Sequence, residues 1–163
     1  MILIIDDDVA VRTSLMLLLQ NEGYEVMSTG EPTQAISLIK EKKPQLIILD
    51  LNFSIDTSGK EGMQLLGEIK EVDNKVPIIL ITGWGTIELA VQGMKMGASD
   101  FLNKPWSNDH VIQSVKTLLD LQEKKTDKHT RKQLDALYNF RHIIGEDEKS
   151  FRDTRNNRKG FTY

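Results

Sequence analysis

The sequence predicts an α/β fold, a doubly wound parallel sheet of five strands with helices on both faces, and three observations predict it. Short apolar runs alternate five times with amphipathic stretches. Three of those runs, Ile2–Ile5, Leu46–Leu49 and Ile78–Ile81, are apolar throughout, the mark of strands covered on both faces. The alternation stops after Leu121, where Gln122 to Gln133 is nearly all polar.

Taken in order, the first strand is Ile2–Ile5, and the helix after it carries Val11, Leu15, Leu18 and Leu19 at helical spacing. Asn21-Glu22-Gly23 stops that helix. The second strand is Glu25–Ser28; its helix is opened by Pro32, striped by Ala35, Ile36 and Ile39, and closed before Pro44. Leu46–Leu49 is followed by a stripe of Met63, Leu66, Ile69 and Val72. Ile78–Ile81 is followed by Ile87, Ala90, Val91 and Met94, ended by Gly97. Phe101–Leu102 is the last strand, and Val111, Val115, Leu118 and Leu119 mark the fifth helix. Strand–helix alternation of this regularity gives a parallel sheet joined by right-handed crossovers, over about residues 1–122. Residues 123–140 contain no Gly or Pro and regain an apolar rhythm at Leu134, Leu137 and Phe140, which predicts a linker helix. Residues 141–163 are expected to be the start of a missing output domain or a disordered tail.

Composition limits the chemistry. At 163 residues, with 39% hydrophobic and 28% charged residues, the chain can bury a core without staples. It has no cysteine, which excludes disulfides, thiolate metal sites and cysteine nucleophiles and fits a reducing cytoplasm. Three aspartates directly after Ile5 are incompatible with a signal peptide or a membrane span. Residues 1–122 carry a net charge of -7 and residues 123–163 a net charge of +4. In the basic tail the bases are interspersed with acids and no aromatic stacking pattern accompanies them, so a solvated linker is expected there, with no direct DNA binding.

In an open parallel sheet, ligands bind outside the carboxyl ends of the strands. Here strand one ends in Asp6-Asp7-Asp8, strand three in Asp50, strand four in Thr82-Gly83, and strand five leads into Asn103-Lys104-Pro105. Clustered carboxylates resist joint ionisation, and a hard divalent cation relieves that repulsion. An aspartate so placed can act as a covalent nucleophile toward phosphorus. Lys104 and the Thr82 hydroxyl would meet the remaining phosphoryl oxygens, because catalysis of phosphoryl transfer is mostly positioning and charge neutralisation. Any one of these residues has an ordinary explanation, Asp8 as a helix N-cap for instance; their joint placement at four strand ends does not.

Ile4-Ile5-Asp6-Asp7-Asp8, Ile47-Ile48-Leu49-Asp50, Ile81-Thr82-Gly83 and Asp100 to Pro105 resemble the motif set of response-regulator receivers of bacterial two-component systems, over residues 1 to about 122. The resemblance implies a flavodoxin-like sheet of order 2-1-3-4-5 and a phosphoacceptor at Asp50. It implies Mg²⁺, or Mn²⁺, held by Asp7, by Asp6 through water, by Asp50 and by the backbone carbonyl of Asn52. Thr82 and Lys104 would bind the phosphoryl group, Phe101 would be the aromatic switch residue, and the Lys104–Pro105 bond would be cis. The implied partner is a sensor histidine kinase or phosphotransfer protein. Leu134 and Leu137 alone make a poor coiled coil, so a weak, phosphorylation-sensitive homodimer is expected, and no membrane partner. Ala90 to Ala98 is most similar to the nitrogen-regulatory class, which activates alternative-sigma-factor promoters, and Phe140 to Gly145 is similar to the opening of that class's ATPase domain.

The chain departs from the family pattern in the loop 52–61, which is about four residues longer than usual, with Ser54 where a proline is common and Gly62 twelve residues after Asp50. Asn52 and Trp84 stand where side chains flank the approach of hydrolytic water; an amide is not a base and an indole is bulky, so slow dephosphorylation is expected. Lys149-Ser150 lacks the second glycine of a phosphate-binding loop. His110, His129 and His142 lack metal spacing, and Met94 and Met96 divide between core and surface. Three other readings compete. An Asp-nucleophile phosphatase would need an acid at position 52, where Asn stands; a flavin binder would need a hydroxyl-rich loop after strand one, where three aspartates stand; a degenerate receiver would act as a protein-binding scaffold. The domain is expected to be no enzyme beyond its own phosphorylation and dephosphorylation.

Overall fold

The computed structural model describes residues 1–52, 59–83 and 87–143. Trp84, most of the long loop including Ser54, and the tail from Ile144 with Lys149-Ser150 lie outside the described residues.

Five strands and five helices alternate: β1 (Ile2–Ile5), α1 (Val9–Asn21), β2 (Val26–Thr29), α2 (Pro32–Lys42), β3 (Leu46–Asp50), α3 (Lys60–Val72), β4 (Ile78–Thr82), α4 (Ile87–Lys95), β5 (Asp100–Asn103) and α5 (Asn108–Ile143). All pairings are parallel and the sheet order is β2-β1-β3-β4-β5. The expected strands are all present; β2 lies one residue later than its apolar run, and β5 extends by one residue at each end. Both shifts reflect pairing, which recruits polar Thr29 beside Ile5 and Asp100 beside Ile79.

The period of two along each strand divides the interior into two cores. Leu3, Ile5, Ile47, Leu49, Ile78 and Leu80 face one side, where α2 and α3 bring Ala35, Ile39, Leu66 and Ile69. Ile2, Ile4, Ile48, Ile79 and Ile81 face the other, where α1 and α5 bring Leu15, Leu19, Val111 and Val115. Solidly apolar strands are therefore explained by two buried faces. At the start of α1, the Asp8 carboxylate accepts a bond from the Ala10 backbone N–H at 2.9 Å, so Asp8 is the N-cap its position allowed.

Helix α4 corrects one expectation. Ile87, Val91 and Met94 were expected to face the core, yet they are 84%, 46% and 45% exposed. The helix seats itself through the opposite face, with Leu89 and Met96 against the core and Gly93 buried. A Cβ at Gly93 would stand 2.3 Å from Leu80 Cδ1, so the missing side chain is what brings this face down onto β4.

The chain divides into two compact units, Met1–Asp120 and Leu121–Tyr163. Within the described part of the second, the helical backbone of α5 continues to Ile143, beyond the end expected near residue 140. No helix among the described residues is long and apolar enough to cross a membrane.

Candidate functional site

Sheet register assembles the site. Ile5 pairs with Leu49, so the next residues along, Asp6 and Asp50, are brought side by side where the sheet order reverses. Asp50 pairs with Ile81, one residue before Thr82, and Thr82 pairs with Asn103, one residue before Lys104. Four parallel strands thus deliver carboxylates, a hydroxyl and an ammonium to one rim, as expected of a topological switch point.

The acidic cluster consists of Asp6, Asp7 and Asp50, which offer carboxylate oxygens all within 4.8 Å of one another. Asp6 and Asp50 are buried, whereas Asp7 is exposed. The Lys104 ammonium donates to Asp6 Oδ2 at 3.2 Å and lies 3.4 Å from Asp50 Oδ2. Asp6 Oδ1 accepts from the backbone N–H of Asp8 at 2.9 Å, and Asp50 Oδ1 accepts from that of Asn52 at 3.1 Å. The Lys104–Pro105 peptide bond is cis.

Burial first, and the neighbouring charge of Asp6 second, raise the Asp50 carboxyl from its ordinary 3.8 to about 7; the Asn52 N–H and Lys104 pull the other way. Burial also works against the Lys104 ammonium, but Asp6 and then Asp50 outweigh it and keep its pKa above the usual lysine value. The two shifts agree once it is seen that one ammonium serves two carboxylates. Lys104 gains from both, while Asp50 shares its cation with a competing anion. The cluster is short of positive charge, and its all-oxygen, partly exposed donor set is one that could hold a hard divalent metal ion.

Thr82 is fully buried at the end of β4, and its hydroxyl accepts a hydrogen bond of 2.6 Å from the side-chain Nδ2 of Asn52. The structure therefore brings Asp6, Asp7, Asp50, Asn52, Thr82 and Lys104 together. Phe101 stands half-buried in β5, packed against the core that β1 and β3 share with α2 and α3, and paired with Leu80. Besides the Asn52–Thr82 bond, two features escaped the sequence. Arg12, one turn into α1, donates from Nη1 to the Asp6 carbonyl at 2.6 Å and fills the space beside Gly30. Ser114 of α5 donates to Asp100 Oδ2 at 2.5 Å, tying α5 to β5. Arginine on an amphipathic helix and serine on a core-facing turn give no pattern that would single them out.

The response regulator receiver domain family matches residues 2–116, so the chain belongs to that family. A putative NtrX-like response regulator of Rickettsia typhi is 36% identical over 124 residues, covering 76% of this chain and 26% of the relative. The crystal structure of NtrX from Brucella abortus superposes with a TM-score of 0.72 at 31% identity, over 79% of this chain and 28% of that one. A CheY-like receiver domain protein from Methanospirillum hungatei JF-1 gives a TM-score of 0.70 at 29% identity, over 76% and 96% of the two chains. The chain thus spans about a quarter of the length of the NtrX-type regulators it matches. Its function is that of a receiver domain in two-component signalling.

Proposed function

We propose that Asp50 is the phosphoacceptor of this receiver. An Asp50 carboxylate oxygen attacks the phosphorus of a phosphohistidine or a small acyl phosphate. The bond from phosphorus to the donor's leaving atom breaks, and an acyl phosphate forms on Asp50. The observation that carries the reading is the Asp50 carboxylate itself: 2% exposed, at the sheet's switch point, 3.4 Å from the Lys104 ammonium and clustered with Asp6 and Asp7. Lys104 neutralises one developing phosphoryl charge, and the Thr82 hydroxyl donates to another oxygen.

Asp7 and Asp50, with Asp6 acting through water and the backbone carbonyl of Asn52, would hold Mg²⁺ or Mn²⁺. The cation, when bound, neutralises charge on the transferring group and keeps Asp50 ionised. Phosphorylation adds about -2 charge, and Phe101 is the aromatic whose packing changes as Thr82 engages it. Asn52 and Trp84 set a slow hydrolysis of the acyl phosphate. Residues 1–122 are the receiver, 123–140 a linker helix, and 141–163 the start of an output domain or a tail. The phosphoryl donor is a sensor histidine kinase or a phosphotransfer protein in the cytoplasm, and the phosphorylated domain controls transcription and pairs weakly with a second copy. The chemistry is limited to the domain's own phosphorylation and dephosphorylation, without turnover of a separate substrate.

The test is intact mass after incubation with acetyl phosphate and Mg²⁺. The chain gains one phosphoryl mass, labile to hydroxylamine and abolished by EDTA, and Asp50→Ala gains none. Uptake by Asp50→Ala at the unaltered rate would overturn the assignment.

A further inference from the structure

The Asn52 side chain was expected only to flank the path of water, with its backbone carbonyl facing a metal. The structure gives its amide another task. Nδ2 donates to the Thr82 hydroxyl at 2.6 Å, across from the end of β3 to the end of β4. Asn52 is fixed from its other side as well, since its backbone N–H donates to Asp50 Oδ1 at 3.1 Å. Residue 52 is therefore bonded at once to the carboxylate proposed to receive the phosphoryl group and to the hydroxyl proposed to respond to it. Its remaining side-chain atom, Oδ1, is buried without a hydrogen-bond partner among the described residues. Among the described residues the side-chain amide is held by the bond to Thr82.

We propose that Asn52 is a positioning residue that latches Thr82 in the unphosphorylated domain, and that the latch opens when Thr82 turns to the phosphoryl group. This rests on the reading of Asp50 as phosphoacceptor. A phosphoryl group on Asp50 brings strong acceptor oxygens next to the Thr82 hydroxyl. In this proposal Thr82 moves toward one of them as it donates, and the movement breaks the bond from Asn52, because a hydrogen bond weakens steeply with distance and angle. The Asn52–Thr82 bond then belongs to one state of the switch and is absent from the other. Only such a bond can bias the equilibrium between them.

The experiment is a double-mutant cycle on the full chain: Asn52→Ala, Thr82→Val, both together, and Thr82→Ser as the conservative variant that keeps the hydroxyl. The cycle cancels whatever each side chain does alone, including the unpaired Oδ1. Unfolding equilibria are measured in urea, first for the resting protein and then with Mg²⁺ and beryllofluoride, a phosphoryl mimic. In the resting protein the two sites are coupled by roughly fivefold in the unfolding constant, the size expected of one net hydrogen bond, and Thr82→Ser preserves the coupling. With the mimic bound, the coupling disappears. Absence of coupling at rest would overturn the latch, and so would coupling of equal size in both states, which would make the bond merely structural. If the parent chain is not stabilised by Mg²⁺ with beryllofluoride, the phosphoacceptor reading itself falls and the latch falls with it. That outcome is separate, because it is read from the parent chain before any variant is compared.

Discussion

Asp50 concentrates the electrostatic tension of the rim, because burial and Asp6 push its carboxyl up to about 7 while the unfolded chain would hold it near 3.8. A carboxyl raised on folding binds protons more tightly in the native state, so its contribution to stability is fully present below the unfolded pKa and is lost as pH rises through the folded one. The metal-free domain is therefore expected to lose on the order of 2 kcal/mol between pH 5.5 and pH 8 through this one group. Asp50→Asn, which cannot titrate, removes that slope, and Mg²⁺ flattens it by taking the place of the proton. Urea unfolding of both proteins at the two pH values measures it; parallel slopes would place the strain elsewhere. At this scale much of the candidate site was legible. Asp6, Asp7, Asp50, Thr82 and Lys104 all end or follow strands, and a strand end is readable from where an apolar run stops. The partners of Arg12, Ser114 and the Asn52 amide were not legible, because each bond joins chain segments whose juxtaposition depends on packing and not on spacing.

The elements were legible where burial is two-sided and ambiguous where it is partial. Strands β1, β3 and β4 announce themselves as unbroken apolar runs. Helix α4 was misread in its orientation because Ile87, Val91 and Met94 carry the hydrophobicity while Gly93, which carries none, makes the closest approach to the sheet. Periodicity counts apolar side chains and is blind to a glycine that packs by having no side chain. Helix α3 offers a test of the same physics with opposite outcomes in one element. A Cβ on Gly62 would lie 2.4 Å from Leu51 Cα and from the Leu51 carbonyl oxygen, both backbone atoms that cannot step aside. A Cβ on Gly67 would meet only Met96 Cε, at an ordinary 3.6 Å. Gly62→Ala is therefore expected to destabilise by about 1–3 kcal/mol or more through overpacking at the end of β3. Gly67→Ala is expected to gain roughly 0.5–1 kcal/mol from helix propensity. Thermal unfolding of the two variants decides this, and equal effects would mean that α3 is not held against Leu51. Gly62→Ala should also slow phosphoryl uptake, since Leu51 lies directly between Asp50 and Asn52.

For the whole molecule, the decisive fact is where the buried residues end. Among the described residues both cores end before residue 120: one draws its last member from β5 and the other from the first turns of α5, through Leu118 and Leu119. Beyond them Leu121 and Leu134 are 50% and 54% exposed, and α5 continues as a helix with a mostly polar sequence. The composition change after Leu121 was readable because a segment without apolar residues cannot bury a face. That α5 reaches Ile143 was not, since an uninterrupted polar segment states only that nothing breaks the helix. If the receiver's stability resides in its two cores, a chain ending at residue 122 keeps everything that folds it. It should unfold in urea within about 0.5 kcal/mol of the full chain, the scatter of changes made away from buried features. It should also take up a phosphoryl group from acetyl phosphate at the same rate, since Asp6, Asp7, Asp50, Thr82 and Lys104 all precede the cut. The excised segment, residues 121–143, should show little helix by circular dichroism, because a polar helix without tertiary packing is marginal in water. A loss of more than about 2 kcal/mol on truncation, well outside that scatter, would mean that the linker is part of the folding unit. Full stability with slowed phosphorylation would mean that residues beyond 122 act on the site itself.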